Sequence, residues 1–505
     1  MSVCSVLIYG LIGLILYCLH LMKKRLNYWQ SRGIACEEPH FIFGNLHGIR
    51  KTRSFNDVWT HYYQKFKGTG PFAGFYWFQK PAVFVLDTTL AKNILIKDFA
   101  KFTDRGFYSN EKDDPLTGQL FLLDGHKWRR MRNKLSPTFT SGKMKFMFPT
   151  VVKVGEEFIN VFGGMVNKSA VIEVKELLAR FTMDVIGTCA FGIDCCSLRD
   201  PKAEIYIMGK RSLTDTRHGS IGIAFVSSFP ELAQKLGMKQ TPTHIEEFFM
   251  RIVRETVDHR ERNNIRRNDF MDMLIDMKNN KLLKSEDGEH MSNLTIEELT
   301  AQAFVFFAAG FETSSTTMGF ALFELAQNQD IQEKLRTEVR NVFSKYNDQF
   351  SYECMKDMHY LDQVISETLR LYTVLPVLNR KSLEDYVVPD NPKYVIKKGT
   401  PILIPAGAIH RDEKYYPNPN QFNPDNFSPD KVKERDTVEW LPFGDGPRNC
   451  IGMRFGQMQS RIGLAYLLRD FRFSVCKETI IPMKYDKKSF LISSEGGIYL
   501  KVEKI

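Results

Sequence analysis

The chain has no Cys-x-x-Cys and no framework spacing of cysteines: nine are scattered at 4, 18, 36, 189, 195, 196, 354, 450 and 476. That excludes a zinc ribbon and a disulfide-stapled scaffold, and it suits a reducing compartment. Internal repeats and low-complexity tracts are also missing, so nothing marks a boundary within residues 30–505. A dinucleotide fingerprint is absent as well. Gly444-x-Gly446 begins like one, but its third glycine position is Asn449 and Pro442 spoils the preceding strand. Flavin or nicotinamide must therefore come on another protein if the chemistry needs it. Charge of one sign is not in large excess: 69 basic and 59 acidic residues leave +10 on 505 residues. This excludes a nucleic-acid footprint and leaves a localised basic face as the expectation. With 43% hydrophobic and 25% charged residues, the composition is that of a globular protein.

One long apolar run is present. Val3 to Met22 is nearly unbroken and is followed by Lys23-Lys24-Arg25, a length that crosses a bilayer core as a helix. A cleaved signal peptide would carry its charge before the run and end in small residues, and neither holds. Basic residues after the span place the remainder in the cytoplasm by the positive-inside rule. Residues 1–25 thus read as an anchor, 26–48, with Pro39 and Gly44, as a linker, and 49–505 as one catalytic domain.

Phe72 to Tyr76 and Ala82 to Leu86 predict strands, and apolar periodicity predicts helices around 90–98, 144–163, 170–190 and 246–279. Short strands are expected at Tyr394 to Ile396 and Thr400 to Pro405, before a proline-rich stretch from Tyr416 to Pro429. The fold class is mainly α with a minor β portion (α+β).

Four segments carry chemistry. In Phe443-Gly444-Asp445-Gly446-Pro447-Arg448-Asn449-Cys450-Ile451-Gly452, the apolar spacing of Ile451, Phe455, Met458 and Ile462 predicts a helix with Cys450 at its N-terminus. There the helix dipole and free N–H groups lower a thiol pKa, and a thiolate is a soft metal ligand. Trp128 and Arg132 lie four apart, either as a carboxylate-binding face or as a surface basic helix with a packed tryptophan. A capping box, Thr295 to Glu298, opens a helix running to about Gln327, on the order of 50 Å long. In its middle Ala309-Gly310-Phe311-Glu312-Thr313-Ser314-Ser315 reads as a place where a flat ligand approaches, with Thr313 returning its hydroxyl to the backbone and opening a kink. Glu367 and Arg370 face the same way on an amphipathic helix, Leu361 to Tyr372. A further apolar stretch, Ile221 to Leu232, fits either core packing or a dip into a membrane interface, where it could also line an entrance for greasy ligands.

Taken in order, the anchor, Trp128-x-x-x-Arg132, Ala309-Gly310-x-Glu312-Thr313, Glu367-x-x-Arg370, Pro424-x-x-Phe427 and Phe443-x-x-Gly446-x-Arg448-x-Cys450-x-Gly452 resemble the haem-thiolate monooxygenases, the cytochromes P450, in their microsomal form. Around Thr138 to Pro149 and Phe443 to Gln459 the likeness is to insect family 6 members, and the resemblance spans essentially the whole chain. It implies the cytochrome P450 fold with an N-terminal transmembrane helix, and haem b (iron protoporphyrin IX) with Cys450 as axial ligand to the iron. It further implies that Gly446 and Gly452 let the loop approach sulfur and porphyrin, that Phe443 packs beside the ligand, and that Arg448, Trp128 and Arg132 bind the propionates. Thr313 and Glu312 would deliver protons to bound dioxygen. Glu367 and Arg370 would be structural; the family usually completes this pair with an arginine where this chain has Asn426, and Arg411 is a candidate substitute.

The implied function is oxidation of lipophilic substrates with O2 and electrons from NADPH, passed on by NADPH-cytochrome P450 reductase at the endoplasmic reticulum. The catalytic domain would face the cytoplasm, and Arg129, Arg130, Lys134 and Lys143 would form the docking face. Xenobiotics including insecticides are the expected substrates, with insect hormones as runner-up. Pocket segments are expected at Phe107 to Leu123, Phe304 to Thr313, Thr373 to Leu378 and Ser493 to Gly497. The alternatives are a haem-thiolate isomerase or dehydratase and a non-catalytic, membrane-tethered haem-binding protein. The orientation has its own test. The sequons Asn167-Lys168-Ser169 and Asn293-Leu294-Thr295 stay unmodified on the cytoplasmic side, so endoglycosidase treatment of the protein from eukaryotic cells leaves its mass unchanged; a downward shift would reverse the orientation.

Overall fold

The computed structural model describes residues 3–279 and 293–505. The apolar run forms one helix, Val3–Leu26, with Lys23, Lys24 and Arg25 in its last turn. Its segment Leu7–Leu26 is long and apolar enough to cross a membrane, and none of it is buried.

The stretch expected to be a linker is packed. Trp29 is fully buried, and its indole N–H donates to the Phe75 carbonyl at 3.1 Å. Gly74 lies beneath the ring, where a Cβ would come within 2.2 Å of Trp29 Cγ. Ile34 and Leu46 are buried in the same cluster. Proline and glycine broke the period that would have announced this packing in the sequence.

Two main cores organise the body, beside a small cluster of Tyr108, Val226 and Ala233. The smaller gathers around a four-stranded sheet, in which Phe72–Trp77 pairs antiparallel with Lys80–Val85, Lys80–Val85 pairs parallel with Pro401–Ile404, and Pro401–Ile404 pairs antiparallel with Leu378–Lys381. The larger core is helical and centres on Ile296–Gln327, which packs most heavily on Val174–Ile186 and crosses Met453–Asp470. The capping box is formed: Thr295 Oγ1 accepts from the Glu298 N–H, and the Glu298 carboxylate accepts from the Thr295 N–H.

Two predicted helices are interrupted for identifiable reasons. Residues 170–190 begin with a strand, because Val171–Glu173 pairs with the C-terminal strand Tyr499–Lys504; Glu173 then caps the helix at Lys175 and Glu176. The 246–279 segment splits into Thr243–Arg262 and Phe270–Lys278. The break carries Asn264 and Asn268 at φ 50° and 57°, a left-handed conformation that asparagine tolerates.

The helix His359–Leu371 positions the cysteine loop through a buried polar knot. Glu367 and Arg370 are wholly buried, joined by bonds of 2.7 and 2.8 Å, and Arg370 also donates to the His410, Pro419 and Gln421 carbonyls. Asn426 Nδ2 donates to Glu367 Oε1 at 3.2 Å, so it occupies the third place itself. Arg411 turns away to the Leu371 carbonyl and the Asn420 side chain. A charge-neutral asparagine suffices because the Asn423 N–H also reaches Glu367 Oε1, at 2.8 Å.

His410 ties this knot to the loop. Its Nε2 accepts from the Leu441 N–H at 2.7 Å, so Nδ1 carries the proton and meets Thr373 Oγ1 at 2.6 Å. Burial first, then the repulsion of Arg370 and Arg435, pushes its pKa from 6.5 down to about 3. Below pH 6.5 the unfolded chain takes up a proton that folded His410 refuses, so its contribution is full at neutral pH and is lost as pH falls. Denaturant unfolding at pH 7 and pH 5 is expected to differ by about 2 kcal/mol from this residue. His410→Gln should reduce that difference; an unchanged difference would show that His410 does not stay neutral.

Candidate active site

Between the long helix and the cysteine loop lies a cavity of ≈ 700 Å³, walled mainly by Leu120, Phe121, Val305, Phe306, Leu375 and Phe490. Cys450 and Phe443 open onto it. The cysteine helix Met453–Asp470 starts after Gly452, so Cys450 sits just outside its first turn. The Cys450 N–H donates to the Phe443 carbonyl at 2.8 Å and closes the loop. Gly444 and Gly446 have φ of 68° and 69°. At Gly446 a Cβ would also lie 2.0 Å from the Leu95 carbonyl oxygen, and its N–H is spent on Asp445 Oδ1. Its close approach is therefore to Leu95. A Cβ on Gly452 would meet only a Phe139 ring carbon at 3.9 Å, and the Gly452 N–H lies where it favours a thiolate at Cys450.

The thiol is not acidified on balance. Cys450 is exposed, but only into this deep cavity, and burial among protein atoms pushes its pKa up against the pull of the Gly452 N–H, Arg132 and Arg105. The helix-terminus reading expected a lowered value. It left out the desolvation that outweighs the N–H groups.

The rim of the cavity is rich in cations. Arg448 is buried; its Nη2 donates to the Leu123 carbonyl at 2.7 Å, and its guanidinium lies 4.2 Å over the Trp128 ring. Its Nε and Nη1 find no acceptor, and neither does Nε of Arg380. Arg105 and Arg132 complete the group, with Arg132 held by the Asn449 main-chain and side-chain oxygens at 2.8 Å. Burial, and then repulsion by Arg448, pushes Arg380 down to about 9; Arg448 itself is pushed down to about 10 by burial. Guanidinium does not release its proton at such sites, so the shifts register charge that lacks an anion. Asp124, 3.6 Å from Arg448, is the nearest compensation. A ligand bearing carboxylates at this rim satisfies the orphaned donors. Arg105 and Arg380 were not legible in the sequence, because each stands alone in a loop or short strand.

On the opposite wall, Ala309, Gly310 and Thr313 face the cavity. Thr313 Oγ1 donates to the Ala309 carbonyl at 2.7 Å, and the helix runs without interruption through this turn. Gly310 is small because Ile186 packs there; a Cβ would come within 2.7 Å of Ile186 Cδ1. Glu312 does not line the cavity. It pairs with Lys175 at 2.6 Å, each side chain only about 15% exposed (14% and 16%). A helix places consecutive residues some 100° apart, which sends Glu312 to the neighbouring helix when Thr313 faces inward.

Of the predicted lining segments, 107–123, 304–313 and 373–378 contribute, while 493–497 does not; Ser489, Phe490 and Leu491 take its place. Ser212, Leu213 and Gln240 join from segments that carried no signal. On the outer surface Arg129, Arg130 and Lys143 are exposed. Lys134 is buried and leaves the proposed basic face.

A cavity-facing cysteine beneath a wall of small residues and hydroxyls, with anion-seeking arginines at its rim, is matched by a family model described as Cytochrome P450 over residues 34–502. The chain belongs to the cytochrome P450 family. Relatives include "Probable cytochrome P450 6a21" of Drosophila melanogaster, 69% identical over 505 residues and 100% of both chains. "Cytochrome P450 6a9" from the same fly is 68% identical over 505 residues, again 100% of both. "Cytochrome P450 6A1" of Musca domestica is 51% identical over 504 residues, 99% of this chain and 98% of its own. A P450 is a haem-thiolate monooxygenase, and its cofactor fits this cavity: orphaned Arg448 and Arg380 donors await carboxylates, and Cys450 offers sulfur from the floor.

The Lys175–Glu312 pair is open to a double-mutant cycle. Lys175→Met leaves a nearly buried carboxylate with only the Thr316 hydroxyl, at 3.5 Å, to answer it, and should cost about 2–3 kcal/mol in denaturant unfolding. Adding Glu312→Gln should restore most of that loss. A loss in the double variant equal to the sum of the losses in Lys175→Met and Glu312→Gln alone would show that the pair is not coupled.

Proposed function

We propose that this P450 oxidises lipophilic foreign compounds, insecticides among them, with insect hormones as a second substrate class. The observation that carries this reading is the cavity wall: Phe121, Phe306, Leu375 and Phe490 offer apolar surface, and Gln119, Ser212 and Gln240 provide a few polar contacts. Such a chamber selects by shape and hydrophobicity, as suits chemically varied greasy ligands.

Haem, when bound, supplies reductive activation of dioxygen, so that one oxygen atom enters the substrate and the other leaves as water. The chain's own residues hold and serve it. Cys450 Sγ binds the iron, with the Gly452 N–H tempering its charge. Arg448, Arg132 and Trp128 bind the propionates, joined by Arg105 and Arg380. Phe443 packs beside the sulfur and limits water. Thr313 Oγ1 is the cavity-side hydroxyl that passes protons on, and it can turn from the Ala309 carbonyl to do so. Glu312 contributes to that path only when it leaves Lys175.

Electrons come from NADPH through NADPH-cytochrome P450 reductase, docked on exposed Arg129, Arg130 and Lys143 with Arg454 of the cysteine helix. The protein resides in the endoplasmic reticulum membrane and faces the cytoplasm. Lys23, Lys24 and Arg25 in the last turn of the anchor support the cytoplasmic side by the positive-inside rule, and Arg25 lies 5.5 Å over the ring of Phe229, between the helices Ser220–Ser228 and Pro230–Lys235. Val226 and Ala233 there are core, while Ile221, Leu232 and Leu236 are exposed and suited to a membrane interface.

The test is reconstitution with reductase and NADPH across a panel of lipophilic compounds. Substrate-dependent oxygen consumption and oxygenated product are expected, and Cys450→Ser should abolish both along with the thiolate spectrum of the carbonyl complex. Turnover that needs no NADPH would indicate the isomerase chemistry, and no substrate-dependent oxygen uptake anywhere in the panel would refute the assignment.

A further inference from the structure

The cysteine helix meets the long helix along one face. Gly456, Gln459 and Gly463 follow one another at spacings of three and four, which places them in a row. Gly463 allows close approach, since a Cβ there would come within 2.6 Å of Met318 Sδ; at Gly456 a Cβ would be in ordinary contact with Ser314 Oγ, at 3.5 Å. Between them Gln459 is wholly buried. Its Nε2 donates to the Gly310 carbonyl at 2.8 Å and to Ser314 Oγ at 2.5 Å, while its Oε1 has no partner. A leucine would fill this space without leaving a buried acceptor unsatisfied, so the two donated bonds are the reason for an amide here.

Those bonds land on an unusual turn. Every carbonyl from 309 to 313 has a side-chain donor in addition to the helix N–H that ordinarily reaches it. Ala309 is met by Thr313, Gly310 by Gln459, Phe311 by the Thr182 hydroxyl at 2.8 Å, Glu312 by Ser315 and Thr313 by Thr317. Side-chain donors of this kind loosen the helical ladder, so the turn that carries Thr313 is softened from within. Two of the donors come from outside the long helix, and only Gln459 belongs to the helix that begins at the cysteine loop.

We propose that Gln459 is a positioning residue that fixes the Thr313 hydroxyl relative to the Cys450 sulfur, by clamping the softened turn to the sulfur's own helix. The proposal rests on Cys450 as iron ligand and Thr313 as the cavity-side hydroxyl. Gln459 borders the cavity but has no exposed surface of its own, and its polar contacts are those to Gly310 and Ser314. Its effect is geometric and reaches the chemistry through Gly310 and Ser314.

Gln459→Leu is the test, made in the full-length holoenzyme with reductase. The thiolate spectrum of the carbonyl complex and the substrate-induced spectral shift should be retained. Amide hydrogen exchange at Ser314 to Thr317 should accelerate about tenfold, the worth of one lost hydrogen bond. Hydrogen peroxide released per NADPH should rise toward the level of Thr313→Ala, and the double variant should be no worse than Thr313→Ala alone, because both act through one hydroxyl. An unchanged peroxide yield, or fully additive effects, would overturn the clamp. Should Gln459→Leu fail to fold, Ser314→Ala removes one anchor from the other side and should raise both exchange and peroxide; no rise in either would equally count against it. Failure of the underlying assignment looks different, since the wild type would then lack the thiolate spectrum or substrate-dependent oxygen uptake.

Discussion

The structure depends on a repulsion that the chain does not resolve by itself. Arg105, Arg132, Arg380 and Arg448 converge at one end of an apolar cavity with little carboxylate to answer them. Gathering buried cations in this way costs stability, and the cost is recovered only when an anion arrives. Binding and folding are linked by that arrangement: whatever neutralises the rim also stabilises the body around it. The buried knot of Glu367, Arg370 and Asn426 is the contrasting case, a charge cluster that the chain satisfies internally and that holds the approach to the cysteine loop in place.

The two helices that frame the cavity divide the labour. The cysteine helix supplies a rigid floor through glycine-permitted packing, and the long helix supplies a wall whose central turn is softened by its own hydroxyls. Rigidity and softness lie one residue contact apart, joined through Gln459. A cavity-facing hydroxyl set in such a pairing can reorient without the wall as a whole moving.

Much of this was legible in the sequence because the chemistry-bearing residues sit inside strong periodic segments. Cys450, Thr313, Trp128 and Arg132 are each fixed by helical spacing or by a glycine turn, and all four meet on the cavity. The sequence misled where long-range packing decided the outcome. Glu312 reads as a cavity acid until the opposing Lys175 is seen, and Lys134 reads as surface until its neighbours bury it. Arg105 and Arg380 could not be found, because isolated arginines in loops and short strands have no local signature. Asn426 shows the opposite error: departure from a family pattern raised a doubt that the geometry answers with a hydrogen bond of 3.2 Å.

The clasp formed by Trp29 leaves the membrane helix almost no slack. Between the end of the helix at Leu26 and the buried indole stand only Asn27 and Tyr28. A tether that short cannot act as a swivel. Any tilt of this helix is passed to the body as a lever would pass it, so in a membrane-anchored protein the setting of the helix in the bilayer would also set the angle of the cavity.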